Sequence, residues 1–304
     1  MKNGSLVKGY VLVILSAFLF GCMPLITNYI YAEGINRESV VLMRNLLALP
    51  VLGLLAWRQS KSFHIPVKAL PAIGVLALMG CCVTPLLLYG SYQHIATGTA
   101  TVFHFVYPAV VVLIGLVFLR KKTNAGTLLA VLLCVGGICL FYNPNEPLDW
   151  GGCALALASG VTYAVYVVLL SVFRHKEVTG FKLVFYVSAV CSTVMLAVCL
   201  IGGRLTLPTT MTGWLLCVLL ALVISVGAVV MFQRGTFLIG GERASVLSTI
   251  EPLTGVVMGV IAFQEKITPG MGIGSVLVIS ACILITVFDT KQRTNPERAA
   301  KCDK

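Results

Sequence analysis

The sequence predicts an all-α membrane protein: ten transmembrane helices, arranged as two inverted five-helix repeats around a central cavity. Three observations predict it. The composition is too apolar for a soluble chain, ten runs are long enough to cross a bilayer, and the second half of the chain aligns with the first. Of the 304 residues, 58% are hydrophobic and 11% are charged, with a mean hydropathy of +0.97. A water-soluble domain carries about 25% charged residues. This chain has too few polar groups to cover a surface facing water.

A spanning helix needs ~20 mostly apolar residues. Ten runs qualify: Gly9–Tyr31, Val40–Trp57, Ala69–Tyr92, Ala96–Leu119, Gly126–Tyr142, Gly151–Phe173, Phe181–Ile201, Trp214–Gly235, Ala244–Phe263 and Gly270–Phe288. The first follows Lys2 and Lys8 but is too long for a signal-peptide core and lacks a small-x-small cleavage site, so it reads as a helix. Gly126–Tyr142 barely reaches across. Trp57, Trp150 and Trp214 fall at run ends, where indole rings anchor at the interface.

The net charge is +11, but its distribution speaks for topology rather than nucleic acid. With the N-terminus in the cytoplasm, the inner segments hold Lys2, Lys8, Arg58, Lys61, Lys68, Arg120, Lys121, Lys122, Arg174 and Lys176, as well as the basic tail. The outer segments hold only Arg37, Arg204 and Lys266. Basic residues accumulate on the cytoplasmic side, so both termini are expected there, in a multi-pass protein of the plasma membrane, as suits a bacterial inner membrane.

The fourth and ninth runs carry the repeat. TATVFHFVYPAVVVLIGLVFLRKKTNAG, from Thr99, aligns without gaps with RASVLSTIEPLTGVVMGVIAFQEKITPG, from Arg243, placing Pro108 on Pro252 and Gly115 on Gly259. Ser16 of the first run matches Ser159 of the sixth. The expected units are 1–145, 146–290 and a charged cytoplasmic tail, 291–304. Five helices per unit is odd, so the second unit enters the membrane the opposite way. Such inverted repeats build a site at mid-membrane between the halves.

Within the ninth run stands one acid, Glu251, followed by Pro252. An ionisable group at membrane depth costs about 2.5–3.5 kcal/mol on insertion scales, so it faces protein or water rather than lipid. Read as one continuous helix, Ala244, Ser248, Glu251, Gly255 and Gly259 share a small, polar face. By the same spacing His104 and Tyr107 share a face of the fourth run.

These residues bring a family into view. Arg44-Asn-Leu-Leu-Ala48, Glu251-Pro252 and Gln264-Glu265-Lys266-Ile-Thr268, on ten helices with an inverted repeat, resemble the drug/metabolite transporter superfamily, EamA-domain type. The resemblance implies a basket-like bundle whose fourth and ninth helices contribute to the cavity. It also implies transport, by habit export, of small metabolites such as amino acids. Two positions depart from the family pattern: Tyr107 stands where an acid commonly precedes the proline, and Arg120-Lys121 where an acid is usual.

Eight residues are candidates for a substrate or proton path: Glu251, Arg44, His104, Tyr107, Ser248, Tyr163, Tyr89 and Gln233. Glu251 could bind an amine or exchange a proton; its alternative is a structural acid hydrogen-bonded across helices. Arg44 could grip a carboxylate with two N–H groups, or snorkel to the outer headgroups. His104 could carry protons, or serve as a neutral histidine satisfying a nearby hydroxyl. Tyr89, Tyr163 and Gln233 could line a cavity, or pack.

Other classes fare worse. No phosphate-binding loop of the Gly-x4-Gly-Lys type is present, so energy would come from a solute or proton gradient. No catalytic group, metal or cofactor is expected: the eleven cysteines lie mostly in apolar runs without zinc spacing, where a thiol behaves as a small hydrophobe. The alternative, a membrane-embedded lipid-modifying enzyme, would need clustered acids and histidines; His64, His94, His104 and His175 are scattered. The expected partners are a small-molecule substrate and the lipid bilayer. Gly255-x-x-x-Gly259 would let a helix approach closely, which is compatible with a homodimer.

Overall fold

The computed structural model describes residues 2–95, 97–118, 125–140, 149–173, 178, 180–263 and, in the last helix, 269–270, 272–274, 276–277, 279–281 and 284. Ten helical segments follow one another among them. They are α1 (Gly4–Ala32), α2 (Arg37–Ser60), α3 (Val67–Ser91), α4 (Thr97–His104 and Tyr107–Val117) and α5 (Ala125–Cys139). The second five are α6 (Trp150–Val172), α7 (Phe181–Ile201), α8 (Met211–Ile239), α9 (Gly241–Leu247 and Ile250–Phe263) and α10 (Gly272–Ala281). Six of them are long and apolar enough to span a bilayer as single elements. The Gln264–Thr268 motif, the 145/146 junction and the 291–304 tail lie outside the described residues.

The two halves interlock. α1 packs along α8 and α9, while α6 packs along α3 and α4. α2 meets α7, and α4 meets α9. Each half thus lends its first helix to the third and fourth helices of the other, as a twofold relation between inverted units requires. Lipid gives no hydrophobic drive to this association, so close packing and interhelical hydrogen bonds carry it. Thr84 Oγ1 meets Thr162 Oγ1 at 2.7 Å, and Ser16 Oγ donates to Ala228 O at 2.8 Å. Such bonds average about 0.6 kcal/mol in a membrane.

Both halves break the α-helical ladder in matching places. α3 widens to a π-helix over Ala77–Val83 and α8 over Ala221–Ala228. In α3 the cause can be read residue by residue. Pro85 has no N–H, which frees the carbonyl four residues earlier, and Cys191 Sγ donates to that Cys81 oxygen at 3.2 Å. Thr84 Oγ1 donates to Met79 O at 2.6 Å.

A second matched break falls in α4 and α9. α9 is interrupted at Ser248–Thr249 and α4 at Phe105–Val106, each just ahead of its proline. Thr249 N bonds Val246 O and Glu251 N bonds Ser248 O, both three residues back. The gaps are closed by neighbours without side chains. A Cβ on Gly21 would stand 2.7 Å from Glu251 O, and one on Gly160 2.5 Å from His104 O.

Candidate functional site

A cavity of about 50 Å3 lies where the halves meet. Its wall draws on α1, α2, α3, α4, α6, α8 and α9. Five of the eight expected residues reach it: Arg44, Tyr89, His104, Tyr163 and Glu251. Tyr107, Ser248 and Gln233 do not. They stand one layer behind.

Arg44 is carried into the interior by α2, whose start is set by Asn36: its side chain accepts from Ser39 N at 2.9 Å. The arginine is 4% exposed, so it does not snorkel to the headgroups. Nη1 donates to Tyr89 Oη at 2.8 Å and lies 3.8 Å from Met23 Sδ. Tyr89 Oη in turn donates to Met23 Sδ at 3.1 Å. Nε has no hydrogen-bond partner, and among the described residues no carboxylate pairs with this guanidinium. A buried cation is normally paired, so Arg44 is a charge held ready without its counter-ion.

Glu251 follows the α9 break and is partly exposed, into the cavity. Its backbone N–H bonds Ser248 O. Among the described residues its carboxyl has no hydrogen bond or ion pair. Arg44 belongs to the first half of the chain and Glu251 to the second. A guanidinium and a carboxyl group thus border one cavity without bonding each other.

His104 Nδ1 meets Ser159 Oγ at 2.8 Å. Ser159 donates its hydrogen to Ala156 O at 2.6 Å, so the hydrogen shared with His104 comes from Nδ1.

An aromatic wall faces these polar groups. Tyr163 is its hub, with ring centroids 5.6 Å from Tyr166, 5.8 Å from Phe232, 5.4 Å from His104 and 4.8 Å from Tyr107. Tyr107, fully buried, buttresses Tyr163 and His104 from behind. Gln233, also fully buried, donates Nε2 to Tyr166 Oη at 3.1 Å. Ser248 spends its hydroxyl on Ala244 O at 2.8 Å. Sequence reasoning missed Met23, Cys81 and Phe232 as wall residues. An apolar or sulfur side chain at a cavity looks the same in sequence as one in a core.

The fold and this cavity define a polytopic membrane carrier. The EamA-like transporter family model matches residues 7–143 and again 150–287; the chain belongs to that family and is a transporter, not an enzyme. It is 26% identical to an uncharacterized transporter of Archaeoglobus fulgidus, over 68% of this chain and 75% of that one. It is 23% identical to the uncharacterized transporter YwfM of Bacillus subtilis, over 93% and 95%. It is 24% identical to an uncharacterized inner membrane transporter of Salmonella typhimurium, YicL, over 95% and 98%. A crystal structure 17% identical in sequence superposes with a TM-score of 0.71, covering 96% of this chain and 99% of that one, which speaks for the fold alone.

Proposed function

We propose that this transporter moves a small zwitterionic metabolite, an amino acid or a related compound, by alternating access, with export the favoured direction. The single observation that carries the reading is the pair Arg44 and Glu251, bordering one cavity from opposite halves with no ion pair to either side chain among the described residues. A substrate carboxylate would complete Arg44, whose fork suits two oxygens. A substrate ammonium would complete Glu251. When no substrate is present, a proton on Glu251 would serve the same end, and this exchange is the route to proton coupling. His104 and Tyr89 shape the wall between the two charges.

The same reading places the protein in the cytoplasmic membrane with both termini inside, in two units, 1–145 and 146–290, and a tail, 291–304. The bias of inner over outer basic residues supports this. Counterflow in proteoliposomes tests the transport reading. Liposomes preloaded with a mixture of the common amino acids should take up trace labelled ones in a saturable way. Uptake that rises linearly with concentration, or none for any amino acid, would overturn it.

A further inference from the structure

We propose that Cys82 and Cys191 form a dithiol that hydrogen peroxide oxidises to a disulfide, tying the first half of the chain to the second. The pair stands apart from the choice of substrate. Only its effect on the carrier rests on the transport reading above.

Three observations carry it. First, the break in α3 brings the two thiols together. Pro85 leaves Cys81 O without its helical donor, and Cys191 Sγ, reaching over from α7, donates to that oxygen at 3.2 Å. This bond turns the Cys191 side chain onto the backbone of α3 beside Cys82. There the thiols of Cys82 and Cys191 hydrogen-bond each other. Both residues are buried, so packing holds them in place.

Second, a cation stands beside them. The Arg44 guanidinium is close enough to act on Cys81, Cys82 and Cys191, and no carboxylate among the described residues pairs with it. The thiolate is the reacting form of cysteine, and a neighbouring guanidinium favours it. Cys191 keeps its hydrogen on Cys81 O; a thiolate there would face that carbonyl oxygen and be repelled. Cys82 is therefore the attacking thiolate and Cys191 the resolving thiol.

Third, the pair has an approach. Gly80 and Cys81 border the cavity, so a molecule in it stands beside Cys82. A water needs about 10–15 Å3. A cavity of about 50 Å3 therefore has room for hydrogen peroxide, which has one oxygen more. The Cys82 thiolate attacks one peroxide oxygen. An S–O bond forms, the O–O bond breaks, and the departing hydroxide takes up the proton that Cys82 released, leaving as water. Cys191 then attacks the sulfenic sulfur. The S–S bond forms, the S–O bond breaks, and the second oxygen leaves as water with the Cys191 proton. The two sulfurs lose two electrons, and the peroxide gains them.

The consequence follows from where the two residues sit. Cys82 belongs to α3, a wall of the cavity, and Cys191 to α7 of the other half. Alternating access rocks one repeat against the other. A covalent bond between them should arrest the cycle until a reductant breaks it.

The test treats the full chain, in detergent, with hydrogen peroxide, then alkylates and digests it. Mass spectrometry should find a peptide linked through Cys82 and Cys191, absent before treatment and lost again after dithiothreitol. Cys82→Ser and Cys191→Ser should each abolish the link, whereas Cys81→Ser should keep it. In Cys191→Ser, dimedone should capture a sulfenic acid at Cys82; in Cys82→Ser it should not label Cys191. In proteoliposomes, peroxide should abolish counterflow of the amino-acid mixture and dithiothreitol should restore it, while both serine variants should resist peroxide.

No linked peptide, or one linked through Cys81, would overturn the pair. Dimedone on Cys191 in Cys82→Ser would overturn the order of attack. A linked chain that still exchanges as fast would overturn the arrest. Absence of counterflow before treatment would count against the transport reading and take the arrest with it, while the linked peptide still decides the pair. Should the serine variants fail to fold, Cys82→Ala and Cys191→Ala keep an apolar side chain and should abolish the link in the same way; a link that survives in either would overturn the pair.

Discussion

Arg44 and Glu251 are the residues on which transport chemistry would turn, and each makes a distinct prediction. Arg44 spends Nη1 on Tyr89 and leaves Nε unbonded. Lysine keeps the charge but lacks the planar fork. Arg44→Lys should therefore weaken binding of carboxylate-bearing substrates about 10- to 100-fold, the range of about 1.5–3 kcal/mol for hydrogen bonds to charged groups. Neutral analogues should lose much less; equal losses would return Arg44 to packing. Glu251→Gln preserves shape and removes the exchangeable proton. Counterflow should persist, while net flux should lose its pH dependence. Retained pH dependence would exclude Glu251 as the proton carrier. At the start of α6, Asp149 caps the helix and takes N–H bonds from Gly151 and Gly152 as well as a contact from His94 at 2.9 Å. The Gly151 N–H above all, with His94, holds its carboxyl below the usual range. A group depressed by folding stabilises above its unfolded pKa and loses that contribution as pH falls through the folded value. Asp149→Ala should thus lower Tm at neutral pH, and the gap to the parent should close in strong acid.

At the scale of elements, the prolines announce the breaks but not their consequence. Pro108 and Pro252 align between the repeats in the sequence, and α4 and α9 part just ahead of them. The periodicity that put Ser248 with Glu251 and Tyr107 with His104 assumed an unbroken helix, whereas the cavity wall takes Glu251 and His104 and not Ser248 or Tyr107. The π-helical stretches of α3 and α8 gave even less warning. Thr84-Pro85 hints at the first, while the second contains no proline at all. Thiol accessibility checks this geometry. In a background with Cys81 replaced, Leu88→Cys should react with a small aqueous thiol reagent, whereas Ser248→Cys and Tyr107→Cys should react at least tenfold more slowly. Fast labelling at Ser248→Cys would put Ser248 on the cavity wall.

At the scale of the whole molecule, polar ties join the ends of the interlocked halves on both sides. On one side the α1–α2 turn meets the α7–α8 linker. Asn36 N donates to Thr206 Oγ1 at 3.0 Å, Thr206 N to Ser39 Oγ at 2.8 Å, and Arg204 Nη1 contacts Glu38 Oε1 at 3.3 Å. On the other side the end of α2 meets α7 and α8. Gln59 Oε1 accepts from Arg234 Nη2 at 2.8 Å and from Phe181 N at 3.2 Å, and Tyr186 Oη donates to Phe63 O. A carrier that opens to one side at a time must release one set while keeping the other. Asn36→Ala and Gln59→Ala should therefore shift the reactivity of Leu88→Cys toward an externally added, impermeant reagent in opposite directions. A shift in the same direction would remove the ties from the gating scheme. The sequence by itself determined what depends on solvent and order along the chain: a bilayer protein, ten helices, an inverted repeat, and an acid that lipid would not accept. Hydropathy, charge bias and internal similarity are local or additive, so they survive without coordinates. Only the tertiary structure decided which side chains meet. It turned Arg44 inward beside Tyr89, set Tyr107, Ser248 and Gln233 behind the wall, and brought Phe232 and Met23 onto it. Those outcomes depend on the rotation of each helix after its break and on what the other half packs against it, and neither is encoded in the spacing of residues along one segment.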